Sequence, residues 1–267
     1  MARAAATPPP PERFGRRIER PDGLDFPFYN GLPTLIPGRR WAAVVAAVVV
    51  GFAALVLTGP LFPGPILGFV PAILFVAIPL AAYVWAAGGH WKAIFHRVTG
   101  RDIGAMFGFA ALNVVVTVVV GGLVAIFSKT SANPLSNELE HASAFELAMF
   151  YPRTAVQLFG EELLTILPFL ALLYLFVQRG GMSRRRAVVL SWVITAVFFG
   201  LLHLPTYDWN LAQSILVIGT ARIILTLAYI RTKNIWVSTG AHIINDWFLF
   251  TLPLVLGAAA GLEATGP

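Results

Sequence analysis

Apolar residues fall in seven long runs, with approximate cores at 41–58, 66–86, 104–127, 155–177, 187–204, 211–230 and 235–256. A bilayer core of about 30 Å takes roughly 20 helical residues, so most of these runs are long enough to cross one. Open sheets are excluded at that depth, because backbone groups there must be satisfied within the segment. The pattern therefore predicts an all-α, polytopic transmembrane helical bundle of about seven spans. Pro71 and Pro79 in the second run are tolerable kinks for a membrane helix. Between the third and fourth runs, 128–154 sets Glu138, Glu140 and Glu146 against Leu139, Phe145 and Met149, the pattern of a short helix lying in the interface. Residues 1–40, which begin Met1-Ala2-Arg3 and include Pro8–Pro11, are polar and rich in Pro and Arg. That composition predicts a disordered or interfacial tail ahead of a bundle over 41–260.

Composition agrees with the pattern: 57% of the 267 residues are hydrophobic and 12% are charged, against about 25% charged in soluble domains. The mean hydropathy is +0.75. The net charge of +6 could suggest nucleic acid, but the basic residues sit in loops rather than on a soluble domain, so they report topology. Seven Arg lie in the tail, and three further clusters follow the second, fourth and sixth runs. Together these hold 16 of the 19 basic residues, all on one side if seven spans alternate. The positive-inside rule then places the N-terminus in the cytoplasm and the C-terminus outside. With no cysteine, disulfide and thiolate chemistry are excluded.

Against this apolar background a few ionisable residues stand out. Glu161 and Glu162 lie side by side in the fourth run, at roughly 2.5–3.5 kcal/mol each on insertion scales. Helical neighbours point about 100° apart, so the two carboxylates have different roles. His203 closes the fifth run, Arg222 lies inside the sixth, and His242, Asn245 and Asp246 lie in the seventh. Asp246 follows His242 by one turn and shares its face, with Asn245 close by. A single histidine in a helix is more often structural than functional. Two histidines, a glutamate pair and a His/Asp turn in three segments of one membrane bundle are directed inward, toward one another.

Such a set suits activation of water. A glutamate in a low-dielectric cavity becomes a general base near neutral pH. Imidazoles orient water, carry a proton to a leaving amine or bind Zn²⁺. Glu161, His203 and His242 also match a catalytic zinc ligand set, so hydrolysis with Zn²⁺ and hydrolysis without metal are both consistent with these residues. The chain has no Gly-x-Ser-x-Gly, and with no Cys either this argues against a covalent nucleophile.

Glu161-Glu162, Phe199-x-x-x-His203 and His242-x-x-x-Asp246, in that order and about 40 residues apart, resemble the three motifs of the CAAX protease and bacteriocin-processing (CPBP, Abi) intramembrane proteases. Tyr229–Trp236 is similar to the family's lead-in to its third motif. The resemblance covers 150–250. It implies an integral membrane endopeptidase of a bacterial cell membrane, acting on a peptide or protein that reaches the bilayer, prenylated or bacteriocin-like. It also implies Glu161 as base, His203 helping to hold the water, and His242 with Asp246 stabilising the oxyanion.

One position departs from the family pattern Glu-Glu-x-x-x-Arg: Ile166 occupies the place of the Arg. Glu162 then needs another cation, and Arg222, at comparable depth, is expected to supply it. The alternative reading is a non-enzymatic membrane adaptor or immunity-type protein that keeps the scaffold without cutting. A metal or proton transporter is weaker still, since no inverted repeat is seen.

Overall fold

The computed structural model describes residues 12–264. Eight α-helices appear and, among the described residues, no strand: α1 (Gly38–Thr58), α2 (Phe69–Ala87), α3 (Gly100–Phe127), α4 (Pro134–Glu140), α5 (Ala144–Tyr174), α6 (Arg184–Leu202), α7 (Gly219–Thr232) and α8 (Ile235–Ala264). Six stretches among the described residues are long and apolar enough to cross a membrane, built on α1, α2, α3, α5, α6 and α7. α8 is the seventh apolar run, and its polar residues His242, Asn245 and Asp246 lower its hydropathy. The expected all-α bundle is present.

The segment 128–154 forms less of an interfacial helix than its pattern suggests. Only α4 is short. Ser143 then caps α5: its hydroxyl accepts from the Glu146 N–H and the Glu146 carboxylate accepts from the Ser143 N–H, which starts the helix at Ala144. α5 therefore absorbs 144–154 and continues through a π-turn at Leu175–Arg179. It sits at the centre, packed on α1, α2, α6, α7 and α8, while α3 covers the outer side of α7 and α8. Close approach is bought with small residues at two positions. A Cβ at Gly160 would lie 2.5 Å from the Phe75 ring of α2, and one at Gly200 would lie 2.5 Å from the Ser214 carbonyl oxygen.

Of the expected disordered or interfacial tail, residues 12–37 are not disordered but packed on the bundle; Met1-Ala2-Arg3 and Pro8–Pro11 lie outside the described residues. This stretch runs under the bundle, with Phe26, Phe28, Tyr29 and Ile36 buried among Trp41, Tyr83, Phe169 and Tyr229. Glu19 locks it in place. Arg184 donates to both Glu19 oxygens, at 2.9 and 2.7 Å, and Lys233 Nζ donates to Oε2 at 2.6 Å. Asp25 Oδ1 accepts from Arg184 at 2.6 Å, and the Phe26 ring lies under both cations. Burial opposes ionisation of Glu19, but the Arg184 and Lys233 hydrogen bonds outweigh it and hold the carboxyl at about 2. Proline and arginine content masked these aromatic anchors, which supply the burial that a disordered chain lacks.

Candidate active site

α5 presents its two glutamates differently, as their angular offset requires. The Glu162 side chain is fully buried, whereas that of Glu161 is 13% exposed. Glu162 Oε1 lies 2.6 Å from Arg222 Nη2 of α7 and accepts from His242 Nδ1 of α8 at 2.9 Å. The Arg222 contact is an ion pair rather than an aligned hydrogen bond; Arg222 Nε donates instead to Thr226 Oγ1 at 3.3 Å. The expected pairing of Glu162 with Arg222 is therefore present, and Ile166 is packed in the apolar core.

A carboxylate can only accept, so a Glu162 paired with Arg222 makes His242 Nδ1 the donor. That fixes the ring and turns Nε2 toward Glu161 Oε2, 3.8 Å away, and Asp246 Oδ1, 3.7 Å away. A water at hydrogen-bond distance of about 2.8 Å from both Nε2 and Glu161 fits such a gap. Asp246 is steadied by Asn245, whose Nδ2 donates to its Oδ1 at 2.8 Å, and Asn245 Oδ1 accepts from Asn113 Nδ2 of α3 at 3.0 Å.

Phe199 ties the second motif to this cluster. Its ring centroid is 4.5 Å from that of His203 and 6.5 Å from that of His242, and the Arg222 guanidinium lies 5.1 Å over it. His203 itself caps the end of α6, its Nδ1 bonded to the Phe199 carbonyl at 2.8 Å. It makes no ion-pair contact with Glu161 among the described residues and joins the cluster through the Phe199 ring. The fifth run ends at His203, and the residue sits where the chain leaves the helix.

Three participants escaped the sequence analysis. Asn113 is a completely buried amide in an otherwise apolar helix, and that isolation was its signal. Gln157 donates to Glu161 Oε1 at 3.3 Å, one turn before it. Tyr207, in the short turn after α6, has its hydroxyl pushed up to about 12 by burial and by the nearby Asp246 carboxylate. No sequence motif marks it.

Among the described residues, no three His, Asp or Glu side chains are gathered closely enough to hold a metal ion. Glu161, His203 and His242 are not among such groups.

Residues 143–248 match a family model described as Rce1-like, type II CAAX prenyl endopeptidase Rce1-like. The match is to this segment alone, which is similar to that family and holds the whole candidate site. The match runs from the N-cap of α5 to two residues past Asp246, so it takes in every glutamate and histidine of the cluster. The matched segment excludes the tail, α1, α2 and α3, and with α3 it excludes Asn113. No curated protein and no solved structure matches the chain.

Proposed function

We propose that the chain is an intramembrane endopeptidase in which Glu161 activates water without a covalent intermediate. The observation that carries this reading is the position of His242, clamped by Glu162 at Nδ1 and facing Glu161 and Asp246 at Nε2. Glu161 takes a proton from a water lying between it and His242, and the hydroxide adds to the scissile carbonyl carbon. His242, with a proton on each ring nitrogen, gives Nδ1–H to Glu162 and Nε2–H to the developing oxyanion. Three carboxylates surround this imidazolium and Arg222 offsets one of them. Glu161 then passes its proton to the leaving amine as the C–N bond breaks, releasing an amine and a carboxylic acid, which loses its remaining proton to solvent. Asp246 holds the imidazolium from the side opposite Glu162, and His203 orients the water or the substrate at the edge of the site.

The substrate is a peptide segment that reaches the bilayer, and by the family's description a prenylated C-terminus is the first candidate. Sixteen basic residues at the tail end of the bundle favour a cytoplasmic N-terminus. His203 and Tyr207 then lie toward the opposite side. The adaptor reading drew on Ile166, and Arg222 supplies the charge that Ile166 lacks. Quenched-fluorescence peptides with and without a farnesyl group, offered to the purified protein in nanodiscs, test both cleavage and the need for the lipid. Cleavage of neither peptide, nor of any membrane-inserted peptide in a library, would leave the adaptor reading.

A further inference from the structure

A second polar feature lies at the tail end of the bundle, away from the glutamates. Arg20 of the tail, Arg101 of α3 and Arg231 of α7 converge on the mouth of a cleft of about 350 Å³. Asp102 pairs with Arg20, but among the described residues no carboxylate pairs with Arg101 or Arg231. Arg20 Nε is buried without a hydrogen-bond partner. Arg231 is held in place by donating to the Arg16 and Arg17 carbonyls of the tail. Three guanidiniums and a single carboxylate leave a net positive mouth that their own framework does not neutralise.

Below the mouth the cleft turns apolar. Ala105, Gly108, Phe109 and Leu112 of α3 line it, and with Arg101 they fall at i, i+4, i+7, i+8 and i+11, one stripe of the helix. Gly108 leaves the groove open, since a Cβ there would meet nothing within 4 Å. From Arg101 to Leu112 the rise is about 16–17 Å, close to the depth of one leaflet in a hydrocarbon core of about 30 Å. Charge at the membrane boundary and an apolar channel ending near the midplane are the two halves of one amphiphile.

We infer that this cleft between α3 and α7 binds one anionic glycerophospholipid, its phosphate among Arg20, Arg101 and Arg231 and one acyl chain along the α3 stripe. Guanidinium favours phosphate because its fork can donate two hydrogen bonds at once. A zwitterionic phosphatidylcholine brings a choline cation to the same positive mouth and binds less well. Because Arg16, Arg17 and Arg20 belong to the tail strap, the lipid also bridges the strap to the bundle.

Native mass spectrometry of the full chain, delipidated in detergent and titrated with phosphatidylglycerol or with phosphatidylcholine of the same chains, tests this. One phosphatidylglycerol is expected to stay bound at energies that strip phosphatidylcholine. Arg101→Gln should lower its occupancy about fivefold, on the scale of one basic residue near an anionic headgroup. Gly108→Leu fills the groove from a position with no neighbour to displace, so it should weaken retention while circular dichroism and thermal unfolding without lipid stay at parent values. Inorganic phosphate should not raise the unfolding temperature as phosphatidylglycerol does. Equal retention of the two lipids overturns the proposal in favour of unselective annular lipid. A phosphate effect equal to that of the lipid, with Gly108→Leu silent, overturns it in favour of a simple anion site.

Discussion

Glu162 and Arg222 meet across α5 and α7 with 2.6 Å between Oε1 and Nη2, and neither side chain has any exposure. The same Glu162 oxygen accepts from His242, so the pair does more than neutralise two charges: it sets the orientation of the imidazole that faces Glu161.

Breaking this pair from one side leaves a buried, uncompensated charge. Glu162→Gln or Arg222→Met should each destabilise the protein by about 3–5 kcal/mol. The double variant should recover part of that loss, a coupling readable in a double-mutant cycle of thermal unfolding in detergent. Additive losses would mean that the two charges do not depend on each other.

The pair is legible in the sequence because two isolated charges in apolar runs at matching depth have few other partners. His242 and Asp246 are legible for a similar reason, since a four-residue spacing puts them on one face. His203 is legible only as the end of its run, and its stacking on Phe199, the contact that links it to His242, has no signal in hydropathy. Asn113 was hidden because α3 lies outside the motifs and a lone amide among valines signals burial without naming its partner. The packing of residues 12–37 was hidden because the tail's few aromatic anchors are diluted by proline and arginine.

Asn113 reaches Asn245 from outside the matched segment. Asn113→Ala leaves Asn245 Oδ1 without its donor in a buried place, at a cost of about 1–3 kcal/mol. If Asn113 also positions Asp246 through Asn245, kcat should fall while KM for a peptide substrate stays near the parent value. An unchanged kcat with lowered stability would confine Asn113 to packing.

The strap at the tail end carries a pH signature. Glu19 has an ordinary value of 4.5 and is held at about 2 in the folded chain. A lowered carboxylate contributes stability that is complete above about pH 4.5 and is lost as the pH falls toward 2. Unfolding temperatures of the parent and of Glu19→Gln, measured from pH 7 down to 2, should differ most at the top of that range and converge at the bottom. Parallel curves would mean that Glu19 contributes nothing through its charge.

The central claim is that Glu161 is the base, and it is tested most directly by Glu161→Gln. The amide keeps the size of the side chain but cannot take the proton of water. Cleavage of a membrane-accessible peptide by the purified variant should fall at least about 100-fold, with the unfolding temperature close to that of the parent, because Glu161 is partly exposed and His242 keeps Glu162 and Asp246 beside it. Cleavage at the parental rate by folded Glu161→Gln would contradict the account.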